Sequence, residues 1–273
     1  MSVGHMLLYR FLFASIALIP VALIERASPR LSDTPIFLLL AVLYVPVQFI
    51  VQFEGLARTT VSHASLMVGT LPLLLAVGAV LFTHERLDSR GWLLLGISTI
   101  GAVLIVLQAH GNAAASGGPG LFGDVLVLLS MIASVAWVLI TQRVMHAGRG
   151  YSPAVMSIYI IVPGTVLLAA WVLATEGLPP IAGISTRAWL ALAAQGLLAT
   201  ALPTLLWNWA LLRVPAARAG IFVNFEPVVG TALGVAVLGE SLGPAAVLGG
   251  LLIVGAAVAF TYRAPETVAV SQG

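Results

Sequence analysis

One acidic residue lies near the centre of an apolar stretch close to the C-terminus. Glu226 is followed directly by Pro227, and both belong to the stretch at residues 215–237. A charge at the centre of a membrane span costs about 3 kcal/mol on insertion scales, so it should face the interior of a helix bundle. We interpret Glu226 as a group that binds a proton or a substrate ammonium in alternation. The alternative is structural, with the carboxylate bonded to neighbouring backbone.

A second group of polar side chains repeats every four residues. Tyr44, Gln48 and Gln52 lie in the apolar stretch at 36–56. Residues four apart share one face of an α-helix, so this spacing predicts a polar stripe. Such a stripe suits the wall of a hydrated cavity. The alternative is hydrogen bonding between helices, worth about 1 kcal/mol per contact.

Four further side chains complete the predicted substrate-binding set. They are Trp137, Thr200, Asn208 and Asn224. Trp137 is expected either to stack on a flat substrate or to fill space. Asn224 is expected either to bind substrate or to hydrogen-bond backbone that Pro227 disturbs. Trp209 is interpreted as an anchor at the membrane interface. Trp207 shares a helix face with Thr200, Pro203 and Thr204, so both a place in the cavity wall and an anchoring role stay open for it. Arg10 is expected to extend outward to the headgroups.

Two prolines fall near the middle of their apolar stretches. Pro72 and Pro227 each remove one backbone hydrogen bond and free a carbonyl about one turn earlier. Irregular backbone at this depth must face protein or water, so both residues are predicted helix breaks beside a binding site. A kink that serves packing alone is the other interpretation.

The composition places these side chains in a membrane. Hydrophobic residues make up 60% of the 273-residue chain, charged residues 8%, and the mean hydropathy is +1.08. Continuous apolar runs of about 20 residues predict spanning helices, since a helix satisfies its own backbone in lipid. Nine spans are predicted, at 5–24, 36–56, 61–82, 91–107, 121–143, 153–174, 187–211, 215–237 and 243–262.

The arginines predict the orientation, because cytoplasmic loops collect basic residues. With the C-terminus inside, the inner segments hold Arg26, Arg30, Arg86, Arg90, Arg143, Arg149, Arg213, Arg218 and Arg263. The outer loops hold Arg58 and Arg187. We therefore expect a multi-pass protein of the cytoplasmic membrane with a cytoplasmic C-terminus.

A part of the chain occurs twice. Arg58, Pro72, Glu85 and Leu87 recur 155 residues later as Arg213, Pro227, Glu240 and Leu242. The predicted orientation of the two copies is opposite, and inverted repeats are typical of secondary transporters. The expected organisation is a first repeat of four helices at 1–107, a linker at 108–120, a second repeat of five helices at 121–263 and a tail at 264–273.

The two repeats are unequal in this prediction. Met6 and Tyr9 align with Met156 and Tyr159, so a counterpart of the helix that begins at Leu121 would precede Met1. We expect a 4+5 arrangement derived from 5+5, in which the first helix is missing.

Several functions are disfavoured by what the sequence lacks. It has no cysteine, no phosphate-binding loop of the G-x-x-x-x-G-K-[ST] type and no H-E-x-x-H zinc pair. No cofactor, metal or nucleic-acid partner is predicted, and a gradient or exchange must power any pumping. A membrane enzyme with a lipid substrate would call for clustered acids or histidines at one membrane face.

Short motifs in both halves carry a family resemblance. They are FEPVV at 225–229, LGESL at 238–242 and LGGLLIVG at 248–255, with weaker copies around Leu71-Pro72, Glu85-Arg86-Leu87 and Gly96 to Gly101. YRFL at 9–12 and LWNWAL at 206–211 add to them. The chain resembles the EamA-type members of the drug/metabolite transporter superfamily. The resemblance implies ten helices in two inverted units and export of small metabolites or drugs.

The expected function is secondary-active export of small amphipathic metabolites, either amino acids or drug-like compounds, by alternating access. The expected partners are a small-molecule substrate and membrane lipid, with proton coupling as a hypothesis. Two alternatives stay open: a membrane enzyme acting on a lipid, and a truncated remnant that does not transport. The sequence does not predict an oligomeric state.

Overall fold

The computed structural model describes residues 1–25, 29–59, 67–83, 85, 87–110, 121–238 and 243–261. Within these ranges the regular structure is helical throughout. The helices are α1 (Val3–Glu25), α2 (Leu31–Leu56), α3 (Leu71–Phe82), α4 (Ser89–His110), α5 (Leu121–His146), α6 (Pro153–Thr175), α7 (Thr186–Leu211), α8 (Ala216–Val223), α9 (Phe225–Leu238) and α10 (Pro244–Thr261).

The helix lengths fit a membrane protein. In the described part of the chain α1, α2, α5, α6 and α7 are long and apolar enough to cross a bilayer, and α3, α4 and α10 contribute shorter apolar helices. Large apolar side chains such as Leu23, Ile24 and Leu198 remain exposed on the outside of the bundle. This surface suits lipid, and the chain is a helical, multi-pass membrane protein.

The eighth predicted span, 215–237, in which Pro227 is a predicted helix break, consists of two helices. Helix α8 ends at Val223, a turn follows at Asn224, and α9 begins at Phe225. Pro227 explains the interruption, because it has no N–H for the carbonyl of Val223 four residues earlier. Proline therefore sets this break in the middle of the span.

Helix α3 begins in the same way. Gly69 and Thr70 form a turn, and α3 begins at Leu71, one residue before Pro72. The Thr70 hydroxyl donates to the carbonyl of Met67 over 2.6 Å, which satisfies an acceptor at the break. The first part of the predicted span, at 61–66, lies outside the described residues.

Two other helices change their winding near a proline. Residues Leu43–Ile50 of α2, which include Pro46, and Leu197–Ala201 of α7, just before Pro203, form π-helical segments. Their i→i+5 hydrogen bonds widen the turn and shift the direction of the side chains that follow. Such segments are frequent at functional sites.

Glycine allows α4 and α10 to pack backbone against backbone. A Cβ added to Gly101 would lie 2.6 Å from the carbonyl oxygen of Gly249, and one added to Gly249 would lie 2.4 Å from that of Gly101. No larger residue fits at either position without moving the helices. This contact joins the end of the first predicted repeat to the last helix of the second.

Candidate functional site: a central polar cavity

A cavity of about 310 Å³ lies among the helices. Its lining includes residues next to Pro72 and Pro227 and residues in or next to both π-helical segments. Its lining comes from six helices: Tyr44 and Gln48 of α2, Leu71 and Leu75 of α3, Ser134, Val135, Trp137 and Val138 of α5, Pro203, Thr204 and Trp207 of α7, Val223 of α8 and Glu226 of α9. This volume is at the lower end of small-molecule sites, which span roughly 300–1,000 Å³.

One wall of the cavity is a rigid aromatic pair. The rings of Tyr44 and Trp137 stack with centroids 4.3 Å apart and planes 23° from parallel. Both side chains are buried, and Phe49 meets the Tyr44 ring edge-on at 5.7 Å. Offset stacked pairs of this kind add about 1 kcal/mol beyond burial. The wall is therefore held in place before any ligand arrives.

A hydrogen bond at the cavity joins α2 and α7, the two helices that contain π-helical segments. The hydroxyls of Tyr44 and Thr204 lie 2.7 Å apart. Thr204 donates its only hydroxyl hydrogen to the carbonyl of Thr200, also over 2.7 Å. Tyr44 must therefore be the donor in the bond between the two side chains. The contact links α2 of the first predicted repeat to α7 of the second.

Three buried polar atoms of the lining have no hydrogen-bond partner among the described residues. They are Oε1 of Gln48 and the indole Nε1 atoms of Trp137 and Trp207. Buried polar atoms are normally paired, so these three are available to a bound molecule. Of the two interpretations of Trp207, its position in the lining favours the one that places it in the cavity wall. Trp209 is exposed, and the guanidinium of Arg213 lies 4.0 Å from its ring centroid.

Glu226 lines the same cavity as Gln48. Its side chain is exposed, and it occupies the first turn of α9, directly after the break at Asn224. The positive end of a helix dipole stabilises a carboxylate at such a position. The break at Asn224 therefore creates the helix N-terminus that stabilises the Glu226 carboxylate.

Four residues of the predicted set lie outside the described lining. Asn208 and Asn224 are buried and donate to hydroxyls on other helices, Asn208 to Ser157 over 2.9 Å and Asn224 to Ser98 over 3.0 Å. Thr200 is also buried. Gln52, one turn beyond Gln48, does not reach the cavity, because the π-helical segment of α2 shifts the face on which an i+4 neighbour lies.

The side chain of Arg10 contacts α7, a position that the sequence did not predict. It was expected to extend outward, but its Nε donates to the Thr200 hydroxyl over 2.7 Å and its Nη2 to the carbonyl of Ala199 over 3.0 Å. Its guanidinium also lies 5.0 Å from the centroid of the Phe49 ring. Pro203 has no N–H for the Ala199 carbonyl, so an arginine from α1 provides a donor there.

Two carboxylates form contacts at one end of the bundle, on either side of Arg143. Glu85 accepts from the backbone N–H groups of Ala216 and Ala217 over 3.1 and 2.9 Å, and so caps the first turn of α8. Asp33 pairs with Arg149 and accepts from the hydroxyl of Tyr151. Burial and this hydrogen bond raise the pKa of Tyr151. Glu240, the counterpart of Glu85 in the second predicted repeat, lies outside the described residues.

Apolar spanning helices around a largely apolar and aromatic cavity that holds one carboxylate and three unpaired polar atoms are typical of one class of protein, the membrane transporters. The sequence model of the EamA-like transporter family matches residues 1–107 and 121–262, and the chain belongs to that family.

Similar proteins occur in Bacillus subtilis strain 168. "Uncharacterized transporter YetK" is 24% identical over 254 residues, covering 89% of this chain and 76% of that protein. "Uncharacterized transporter YyaM" is 24% identical over 206 residues, covering 74% of this chain and 65% of that protein. A solved crystal structure superposes with a TM-score of 0.81 at 18% identity, over 96% of this chain and 89% of the other. That likeness concerns the fold.

Proposed function

We propose that the protein is a secondary-active transporter that exports small amphipathic metabolites, amino acids or drug-like compounds, by alternating access. The observation that carries the proposal is the central cavity, to which helices of both predicted repeats contribute. Its polar atoms without partners and its aromatic wall suit a molecule that is partly apolar and partly polar. Its place between the repeats is where secondary transporters bind their substrates.

The proposed architecture is nine spans arranged as two inverted repeats, four helices at 1–107 and five at 121–263. Two features of the helices support it. Breaks precede Pro72 and Pro227, which occupy corresponding positions of the repeats. The π-helical segments likewise occur in α2 and α7, whose ends correspond through Arg58 and Arg213.

Alternating access in this architecture is a rocking of one repeat against the other. The pair formed by Tyr44 and Thr204 lies where α2 and α7 meet. Gln48 and Glu226 line the same cavity but belong to different predicted repeats. Interrupted helices provide the places where such a movement needs little rearrangement of hydrogen bonds. We place the protein in the cytoplasmic membrane with its C-terminus inside.

A vesicle assay tests the proposal. The purified protein is reconstituted, an inward or outward pH gradient is imposed, and amino acids and drug-like amines are screened for accumulation. We expect gradient-dependent movement of at least one solute in vesicles that contain the wild type. Vesicles with Trp137→Ala, which loses the aromatic wall, should move it at least about tenfold more slowly. Solute movement equal to that of empty vesicles across the whole screen would argue against transport.

Proton coupling is the narrower part of the proposal and has its own test. If Glu226 binds a proton and a substrate ammonium in turn, Glu226→Gln should abolish accumulation driven by the pH gradient. Glu54→Gln is the matched control, because Glu54 is an exposed acid paired with Arg58 at the end of α2. Full gradient-driven export by Glu226→Gln at every pH would exclude coupling through this residue.

A further inference from the structure

The described lining of the cavity carries one formal charge, and that charge is negative. Glu226 is the only described lining residue that carries a formal charge. Among the described residues no cation forms an ion pair with it, and Arg10, which does not line the cavity, donates to Thr200 and Ala199. A ligand that brings a single positive charge would therefore leave the cavity neutral.

The uncharged lining also favours a cation. Aromatic rings attract an ammonium through their negative faces, and the cavity wall contains the rings of Tyr44, Trp137 and Trp207. The buried Oε1 atom of Gln48, which has no partner among the described residues, is a hydrogen-bond acceptor suited to the N–H of an ammonium.

The remaining unpaired atoms call for an acceptor on the ligand. The Nε1 atoms of Trp137 and Trp207 are donors only, so they suit a carbonyl oxygen. A carboxylate is a less suitable partner here, because it would place a second negative charge in a cavity that already holds Glu226. A neutral amide or ester carbonyl provides the acceptor without that repulsion.

We propose that the cavity selects organic monocations, in particular amines that carry a neutral carbonyl group, over zwitterionic amino acids. The inference rests on the proposed function, because it names the substrate class of the same cavity. It narrows the substrates from amphipathic metabolites in general to amino-acid amides, esters and comparable amines.

Three ligands that share one aromatic group separate the contributions of the carbonyl group and of the carboxylate charge to binding. They are phenylalaninamide, phenylalanine and phenethylamine, and binding to the purified wild type is measured by titration calorimetry at about pH 6.5, where the amines are protonated. We expect the amide to bind at least about tenfold more tightly than the free amino acid, which differs by one carboxylate charge. Phenethylamine should bind more weakly than the amide because it lacks the carbonyl. Equal or tighter binding of phenylalanine, or no binding of all three, would overturn the inference.

Two variants assign the preference to named atoms. Glu226→Gln should reduce the affinity for the amide by about tenfold and leave that for phenylalanine unchanged or higher, while Glu54→Gln changes neither. Trp207→Phe keeps a ring but removes a donor, so it should close the gap between the amide and phenethylamine. An unchanged order of affinities in both variants would contradict the assignment. Transport of other solutes in the vesicle screen would still support the proposed function, so the two failures are distinguishable.

Discussion

Arg10 provides donors for a backbone carbonyl that a proline leaves without its helical partner. Arg10→Met should remove the hydrogen bonds to Thr200 and Ala199 and cost about 1–3 kcal/mol of unfolding free energy, because the buried Thr200 hydroxyl and the Ala199 carbonyl lose a charged donor. Thermal unfolding in detergent measures the effect. Arg213→Met is the control and should change stability much less, since Arg213 is an exposed cation beside Trp209. Equal effects of the two substitutions would contradict the structural role.

The bond between Tyr44 and Thr204 is small but joins two helices. Tyr44→Phe and Thr204→Val remove the hydroxyls and keep the shapes, so a double-mutant cycle isolates the pair. We expect a coupling free energy of about 0.5–1.5 kcal/mol, the net value of one hydrogen bond. Unfolding by denaturant in detergent measures it. Additive single effects would show that the two hydroxyls do not interact.

At the residue scale the sequence indicated part of the site. Tyr44, Gln48, Trp137 and Glu226 could be singled out as polar or aromatic side chains in the middle of apolar spans, and all four line the cavity. The position of Trp207 stayed open, because an aromatic residue near a span end has the same pattern whether it faces lipid or a cavity. The inward position of Arg10 depends on the winding of α7, which hydropathy does not record.

At the scale of elements, proline controls the shape of the spans. The break between α8 and α9 exists because Pro227 cannot donate to the Val223 carbonyl. Pro227→Ala restores that donor and should let α8 continue into α9, which would move Glu226 relative to Gln48. We expect a loss of transport of at least about tenfold with little loss of thermal stability.

The control for this prediction is a proline that a helix tolerates. Pro163 lies inside α6, which continues through it, and it does not line the cavity. Pro163→Ala should therefore transport like the wild type. Wild-type transport by Pro227→Ala itself would show that the interruption is not needed for function.

The existence of the spans was predictable, but their internal irregularities were only partly so. Continuous apolar runs require helices, because lipid offers no partner for backbone N–H and C=O groups. A proline in the sequence indicates where a helix loses a bond, as before Leu71 and Phe225. It does not indicate whether the helix is interrupted, as between α8 and α9, or continues with i→i+5 hydrogen bonds, as in α2 and α7. The response depends on which side chains of other helices satisfy the freed carbonyls.

At the scale of the whole molecule, the arginines determine the expected orientation. A fluorescent protein fused after Gly273 should be fluorescent, and alkaline phosphatase fused there should be inactive, because both report a cytoplasmic position. Phosphatase inserted at Pro180, in the loop between α6 and α7, should be active. The opposite pattern would invert the proposed topology and, with it, the direction assigned to transport.

The central claim is a water-accessible cavity between two repeats in the middle of the membrane, and cysteine labelling tests it most directly. The chain has no cysteine, so single cysteines can be introduced without a background. Gln48→Cys and Glu226→Cys should react with a membrane-impermeant maleimide in intact membranes, because a thiolate forms only where water reaches it. Leu202→Cys, at an exposed apolar position of α7, should stay unlabelled. Labelling of Leu202→Cys alone, or of none of the three, would contradict the cavity.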